Sequence, residues 1–126
     1  MNIPAELRYS SDHEWVRVDG STATIGITEY AQDALGDVVF VEMPDAGLAV
    51  AAGESFSEVE STKSVSDIYA PITGSIAEVN AELESQPELL NSDPYGAGWI
   101  CRIEIGDPSE LDGLMDAEAY RALTEG

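Results

Sequence analysis

Three chemically versatile residue types occur once each in this chain: Lys63, His13 and Cys101. One cysteine and one histidine cannot make a zinc site of the usual nitrogen and sulfur type, and a lone cysteine excludes an intrachain disulfide. No metal ligand set and no catalytic residue is therefore assigned. Lys63 is different. It stands in Glu58-Val-Glu-Ser-Thr-Lys63-Ser-Val-Ser-Asp67, with Ser61, Thr62 and Ser64 around it and strand-like runs on either side. Two chemistries use an isolated lysine. A Schiff-base nucleophile needs an amine made less basic by burial or a neighbouring cation. The near neighbours here are Glu58, Glu60 and Asp67, which favour the charged ammonium instead. Covalent attachment of a carrier group needs an exposed lysine at a rigid tip, whose stem becomes part of a swinging arm that concentrates the cargo at a partner's site. The spacing suits the second.

The elements that must hold this tip are mostly strands. Residues 13–18 and 23–28 read as two strands joined through Asp19-Gly20-Ser21, a hairpin signal. Thr28 caps a predicted short helix over residues 29–35, which Gly36 ends. Residues 37–43, 55–60, 65–69 and 75–80 read as further strands, with Pro71-Ile-Thr-Gly74 as a turn. Residues 81–91 hold a Glu-rich helical turn interrupted by Pro87. Residues 98–105 alternate, with Trp99, Cys101, Ile103 and Ile105 on one face and Ile100, Arg102 and Glu104 on the other. Cys101 thus reads as a small buried hydrophobe. Asp107-Pro108-Ser109-Glu110 opens a helical tail over about residues 107–124, broken near Asp116, whose stripe of Leu111, Met115, Ala119 and Leu123 is expected to pack on the β core. A weak repeat relates residues 53–60 to residues 74–80, as two similar β layers about a twofold axis would, with Lys63 near the crossover.

Composition bounds the partners. Asp and Glu number 25 against 5 Lys and Arg, a formal charge of −20. Nucleic acid and anionic membrane would repel such a chain. With 44% hydrophobic residues in 126, the expectation is one folded domain over residues 1–126. The N-terminal residues lack a basic start with an apolar stretch, and the longest apolar runs, residues 38–41 and 48–52, are far short of a bilayer span. The expectation is a soluble, cytoplasmic protein.

Eight stretches in order then carry a resemblance: HEWV from His13, IGIT from Ile25, YAQ from Tyr30, LGDVVFVE from Leu35, VESTKS from Val59, APITG from Ala70, EVN from Glu78, and NSDPYG from Asn91 with Gly98-Trp99. Over nearly its whole length the chain resembles the H protein of the glycine cleavage system, a lipoyl carrier. The resemblance implies a mostly β fold of the barrel-sandwich hybrid type, like lipoyl and biotinyl carriers, with a short helix and a C-terminal helical tail. It implies lipoic acid in amide linkage to Lys63, with Glu60 and Gly74 used in recognition by lipoylating enzymes. Glu60 would contact the enzyme, and Gly74 would allow the turn geometry of the hairpin. It implies a non-catalytic subunit serving a pyridoxal-phosphate glycine decarboxylase, an aminomethyltransferase and dihydrolipoyl dehydrogenase. Glu14 and Asp67 match positions lining a cleft that receives the loaded arm, where a carboxylate would pair with the amine. Family members often have serine where Asp12 stands and histidine where Ala34 stands. Biotin carriers usually flank the lysine with methionine, and lipoyl domains of 2-oxoacid dehydrogenases lack the HEW segment and the tail. The other readings are an H-like protein that stores or relays lipoyl groups, and an enzyme with Lys63 as nucleophile.

Overall fold

The computed structural model describes residues 3–125. Period-two alternation builds two antiparallel sheets, which are not closed into a barrel. β1 (Arg8–Tyr9), β2 (Glu14–Asp19), β3 (Thr22–Ile27), β5 (Ala49–Val50), β8 (Gly74–Val79) and β9 (Cys101–Ile105) form one, in the order β1-β2-β3-β9-β8-β5. β4 (Val38–Glu42), β6 (Ser55–Ser61) and β7 (Val65–Tyr69) form the other, in the order β4-β6-β7. One buried core draws on both inner faces, with Val16, Ile25 and Ile103 from the first sheet and Val41, Val59 and Ile68 from the second. Each such side chain stabilises the fold by roughly 1.5–3 kcal/mol relative to exposure. In β6 the alternation buries Val59 and Ser61 and turns Glu58 and Glu60 to solvent. The two repeat-related strands, β6 and β8, do fall in different sheets, and each carries a bulge in its pairing.

α1 (Glu29–Leu35) runs as the sequence predicts. The Thr28 hydroxyl accepts from the Ala31 N–H at 3.2 Å, and Gly36 ends the helix at φ 83°. The Glu-rich segment is two single turns, α2 (Glu82–Ser85) and α3 (Leu89–Ser92), parted at Gln86-Pro87.

Two expectations about the C-terminal third are corrected. β9 starts at Cys101, not at residue 98, and Ile100 is fully buried rather than sharing the more polar face. The Trp99 N–H donates to Gly96 O, so a turn resets the alternation just before the strand. Ile100 then links its neighbours, donating to Ile25 O at 2.8 Å and accepting from Asn80 N at 3.0 Å.

The tail is a 3-10 turn (Pro108–Gly113), capped by the Asp107 carboxylate, followed by α4 (Ala117–Glu125). Met115 between them exchanges two 2.8 Å backbone hydrogen bonds with Tyr9, which takes it out of helical phase. The expected stripe is therefore not one face. Leu123 is 47% exposed, while Tyr120, outside the stripe, is completely buried.

A second buried cluster joins this helix to the N-terminal segment through Ile3, Leu7, Tyr9, Trp15 and Tyr120. The Tyr9 and Tyr120 rings stack with centroids 4.7 Å apart. Among the described residues no helix is long and apolar enough to cross a membrane.

Candidate functional site

The turn between β6 and β7 is tied by one serine. The Ser61 hydroxyl accepts from the Lys63 N–H at 3.2 Å and the Ser64 N–H at 3.1 Å, and it donates to Ser64 O at 3.1 Å. The Thr62 N–H donates to Asp37 O at 3.0 Å, which fastens the tip to the connection between α1 and β4. Lys63 is exposed, and its stem crosses Gly36. A Cβ on Gly36 would lie 3.2 Å from Lys63 Cε, so glycine serves both the positive φ and this crossing.

The cations of the chain divide accordingly. Arg102 pairs with Glu78 at 2.6 Å and covers Trp99; Arg17 covers Trp15 and donates to Tyr95 O. Arg8 donates to Leu111 O, and Arg121 pairs with Glu125. Among the described residues Lys63 has no ion pair of this kind.

Beside the tip opens a cleft of about 400 Å³. Ser64 and Asp67 wall it from the hairpin, Tyr30, Ala34 and Leu35 from α1, and Ser11, Asp12 and His13 from the segment before β2. Both positions where the chain departs from the family pattern, Asp12 and Ala34, therefore stand on this wall.

Glu14 does not line it. Its side chain is 1% exposed and lines an adjoining cleft of about 320 Å³ with Ser10 and Met115; Ser11 and Asp12 belong to both walls. Burial pushes the Glu14 carboxyl up to about 7, against the opposing effect of a 2.6 Å hydrogen bond from the Ser10 hydroxyl.

Glu60 lies on the outer face of β6, paired with Val65 on one side and Phe40 on the other. Gly74 stands in the other sheet, between β5 and β9. Its glycine is required by space, not by a turn. A Cβ there would come 2.1 Å from Glu104 O.

Sequence reasoning missed the aromatic frame of the cleft. His13 sits at φ 70°, and its ring lies 4.6 Å from that of Tyr30. Its Nδ1 is 2.8 Å from the Tyr120 hydroxyl, which is 2.7 Å from Thr28 Oγ1. Burial lowers the His13 pKa, with Asp12 opposing. A partner 107 residues away leaves no local signal. Cys101 is buried in the core, and burial pushes its thiol up to about 12, far from a reactive thiolate. Among the described residues no group of three His, Cys, Asp or Glu is placed to hold a metal ion.

Two antiparallel sheets that present one exposed lysine beside a cleft suit a carrier domain, which offers a side chain to enzymes. The model of the family "Glycine cleavage H-protein" matches residues 7–126. The chain is 58% identical to the glycine cleavage system H protein of Beutenbergia cavernae, over 100% of this chain and 99% of that one. It is 60% identical to that of Mycolicibacterium smegmatis, over 96% and 95% of the two chains. The crystal structure of the H protein from Mycobacterium marinum superposes with a TM-score of 0.87 at 41% identity, covering 98% of this chain and 100% of that one. The chain belongs to the glycine cleavage H-protein family and is a lipoyl carrier of the glycine cleavage system.

Proposed function

We propose that Lys63 carries lipoic acid in amide linkage, and that the arm takes the aminomethyl group of glycine from the decarboxylase to the aminomethyltransferase. The observation that carries this reading is the placement of Lys63: exposed, outside the ion pairs of the described residues, and in a turn tied by Ser61 whose Ser64 lines a cleft of about 400 Å³. When attached, lipoate would supply a disulfide that opens on taking the aminomethyl group and is left as a dithiol on its release, the dithiol being reoxidised by dihydrolipoyl dehydrogenase. The chain's own residues attach, orient and shield. The cleft fits such a group, since Tyr30, Ala34 and Leu35 offer an apolar wall and Ser64, Ser66 and Asp67 a polar one.

Of the two carboxylates expected to face a loaded amine, Asp67 stands on the cleft wall. Glu14 lines the adjoining cleft instead, which shares Ser11 and Asp12 with the larger one. Glu60 offers lipoylating enzymes an exposed carboxylate three residues before Lys63, whereas Gly74 acts through strand packing. The same geometry supports a non-catalytic role: the exposed Lys63 amine lacks the burial that would activate it as a Schiff-base nucleophile.

Intact mass after expression with lipoate tests the reading. One lipoyl addition that maps to Lys63 and is absent from Lys63→Arg is expected. An addition that survives Lys63→Arg overturns it, as does turnover of glycine by the isolated chain. Reconstitution with the three partner enzymes and labelled glycine then reads the carrier cycle itself.

A further inference from the structure

The outer face of the sheet that holds the tip exposes three large hydrophobic side chains among acids. Phe40, Glu60 and Val65 form one row across β4, β6 and β7, one cross-strand step from the turn. A bulge between Val38 and Phe40 turns two successive side chains outward, so Val39 is 53% and Phe40 52% exposed, beside Val65 at 54%. Of the large hydrophobic side chains exposed among the described residues, these three sit on the sheet nearest Lys63. The charged residues of these strands are all acidic. Glu42, Glu58 and Glu60 are exposed on the same face, the three strands contain no Lys or Arg, and Glu42, Glu58 and Asp67 wall a shallow hollow of about 210 Å³.

We propose that this face is the docking surface for the enzyme that acylates Lys63, and that the matching surface is an apolar patch bordered by Lys and Arg, one of which enters the acidic hollow. This rests on the reading of Lys63 as the lipoyl site. The occupant follows from reach. An enzyme that acylates the amine must bring its active site within one lysine length of the tip, so its contacts fall on the adjacent row. An enzyme that acts on the far end of an attached arm works several side-chain lengths away. Apolar contact supplies affinity in the centre, and the acid rim supplies orientation and encounter rate. A second copy of this chain would bring the same acids against them, so self-association is disfavoured by charge.

The probe is a lipoate–protein ligase with free lipoate and ATP, read by intact mass on the unlipoylated chain. The double variant Phe40→Ser, Val65→Ser is expected to lower kcat/KM at least tenfold, mainly through KM, while Val18→Ser, an exposed site on the other sheet, leaves it unchanged. Raising salt from low ionic strength is expected to slow the wild type, and less so Glu42→Gln, Glu58→Gln. Deuterium exchange of the wild-type chain with and without the ligase needs no substitution, and protection at residues 38–42 and 65–69 is expected. Wild-type rates in the double variant, or protection confined to other segments, overturn the proposal. So does wild-type dimerisation that the double variant abolishes, which would assign the patch to a second copy. A wild-type chain that gains no lipoyl mass, or gains it without Lys63, fails the underlying reading instead.

Discussion

The Lys63 tip and the latch formed by α4 and the N-terminal segment are both polar constructions, but they are made differently. At the tip the Ser61 hydroxyl bonds only residues within three positions, and Thr62 to Asp37 fixes the turn to the body. In the latch the partners are distant: Tyr120 with His13 and Thr28, Tyr9 with Met115, and Trp15 Nε1 with Pro94 O. The tip is a local device that gives up little stability if damaged, and it leaves its side chain free. The latch adds a second buried cluster to the core between the sheets and, through His13, sets one wall of the cleft. Function and stability are thus carried by separate regions that meet at the cleft.

The largest effect that tests this division is chemical. Lys63→Arg is expected to abolish lipoyl loading while leaving thermal unfolding unchanged within error; a lowered melting temperature would show that the tip also bears stability.

Tyr120→Ala removes a fully buried ring, its stacking on Tyr9 and two hydrogen bonds, and is expected to cost about 3–5 kcal/mol in urea unfolding. A cost below about 1 kcal/mol would mean that α4 is a passive cover.

Glu14→Gln reads the boundary between the two regions. The folded-state pKa of about 7 lies above the ordinary 4.5, so the folded chain holds a proton that the unfolded chain releases. Stability from this group is full below about pH 4.5 and is lost as pH rises through 7. The loss is on the order of 3 kcal/mol, and a neutral amide escapes it. The variant should therefore gain on the wild type between pH 5 and pH 8; a constant difference would remove burial as the cause.

The smallest effect is Ser61→Ala, expected to cost about 1 kcal/mol. Faster amide exchange at residues 62–64 and little change elsewhere would confirm that the tip is local.

Legibility in the sequence followed the same line. The strand alternation, the Thr28 cap, the Gly36 stop and the exposed turn around Lys63 all rest on interactions within a few residues, and all are found. Ile100 and the tail stripe were misread because a turn and a two-residue bridge reset the period, and such resets come from contacts with Ile25 and Tyr9 far along the chain. Gly74 was assigned to a turn when its reason is the Glu104 carbonyl across the sheet.

Amino-acid order by itself determined most strands, the short helix and the single lysine at a hairpin tip, because period, caps and turn residues act at short range; the fold type and the carrier class came from the resemblance carried by the eight stretches. Only the tertiary structure decided which side chains surround the arm's cleft. It set Asp67, Asp12 and Ala34 on the wall, buried Glu14 beside an adjoining cleft and braced His13 with a tyrosine from the far end of the chain. Burial, and the proton affinity that follows from it, is a property of packing between distant segments, and no local pattern encodes it.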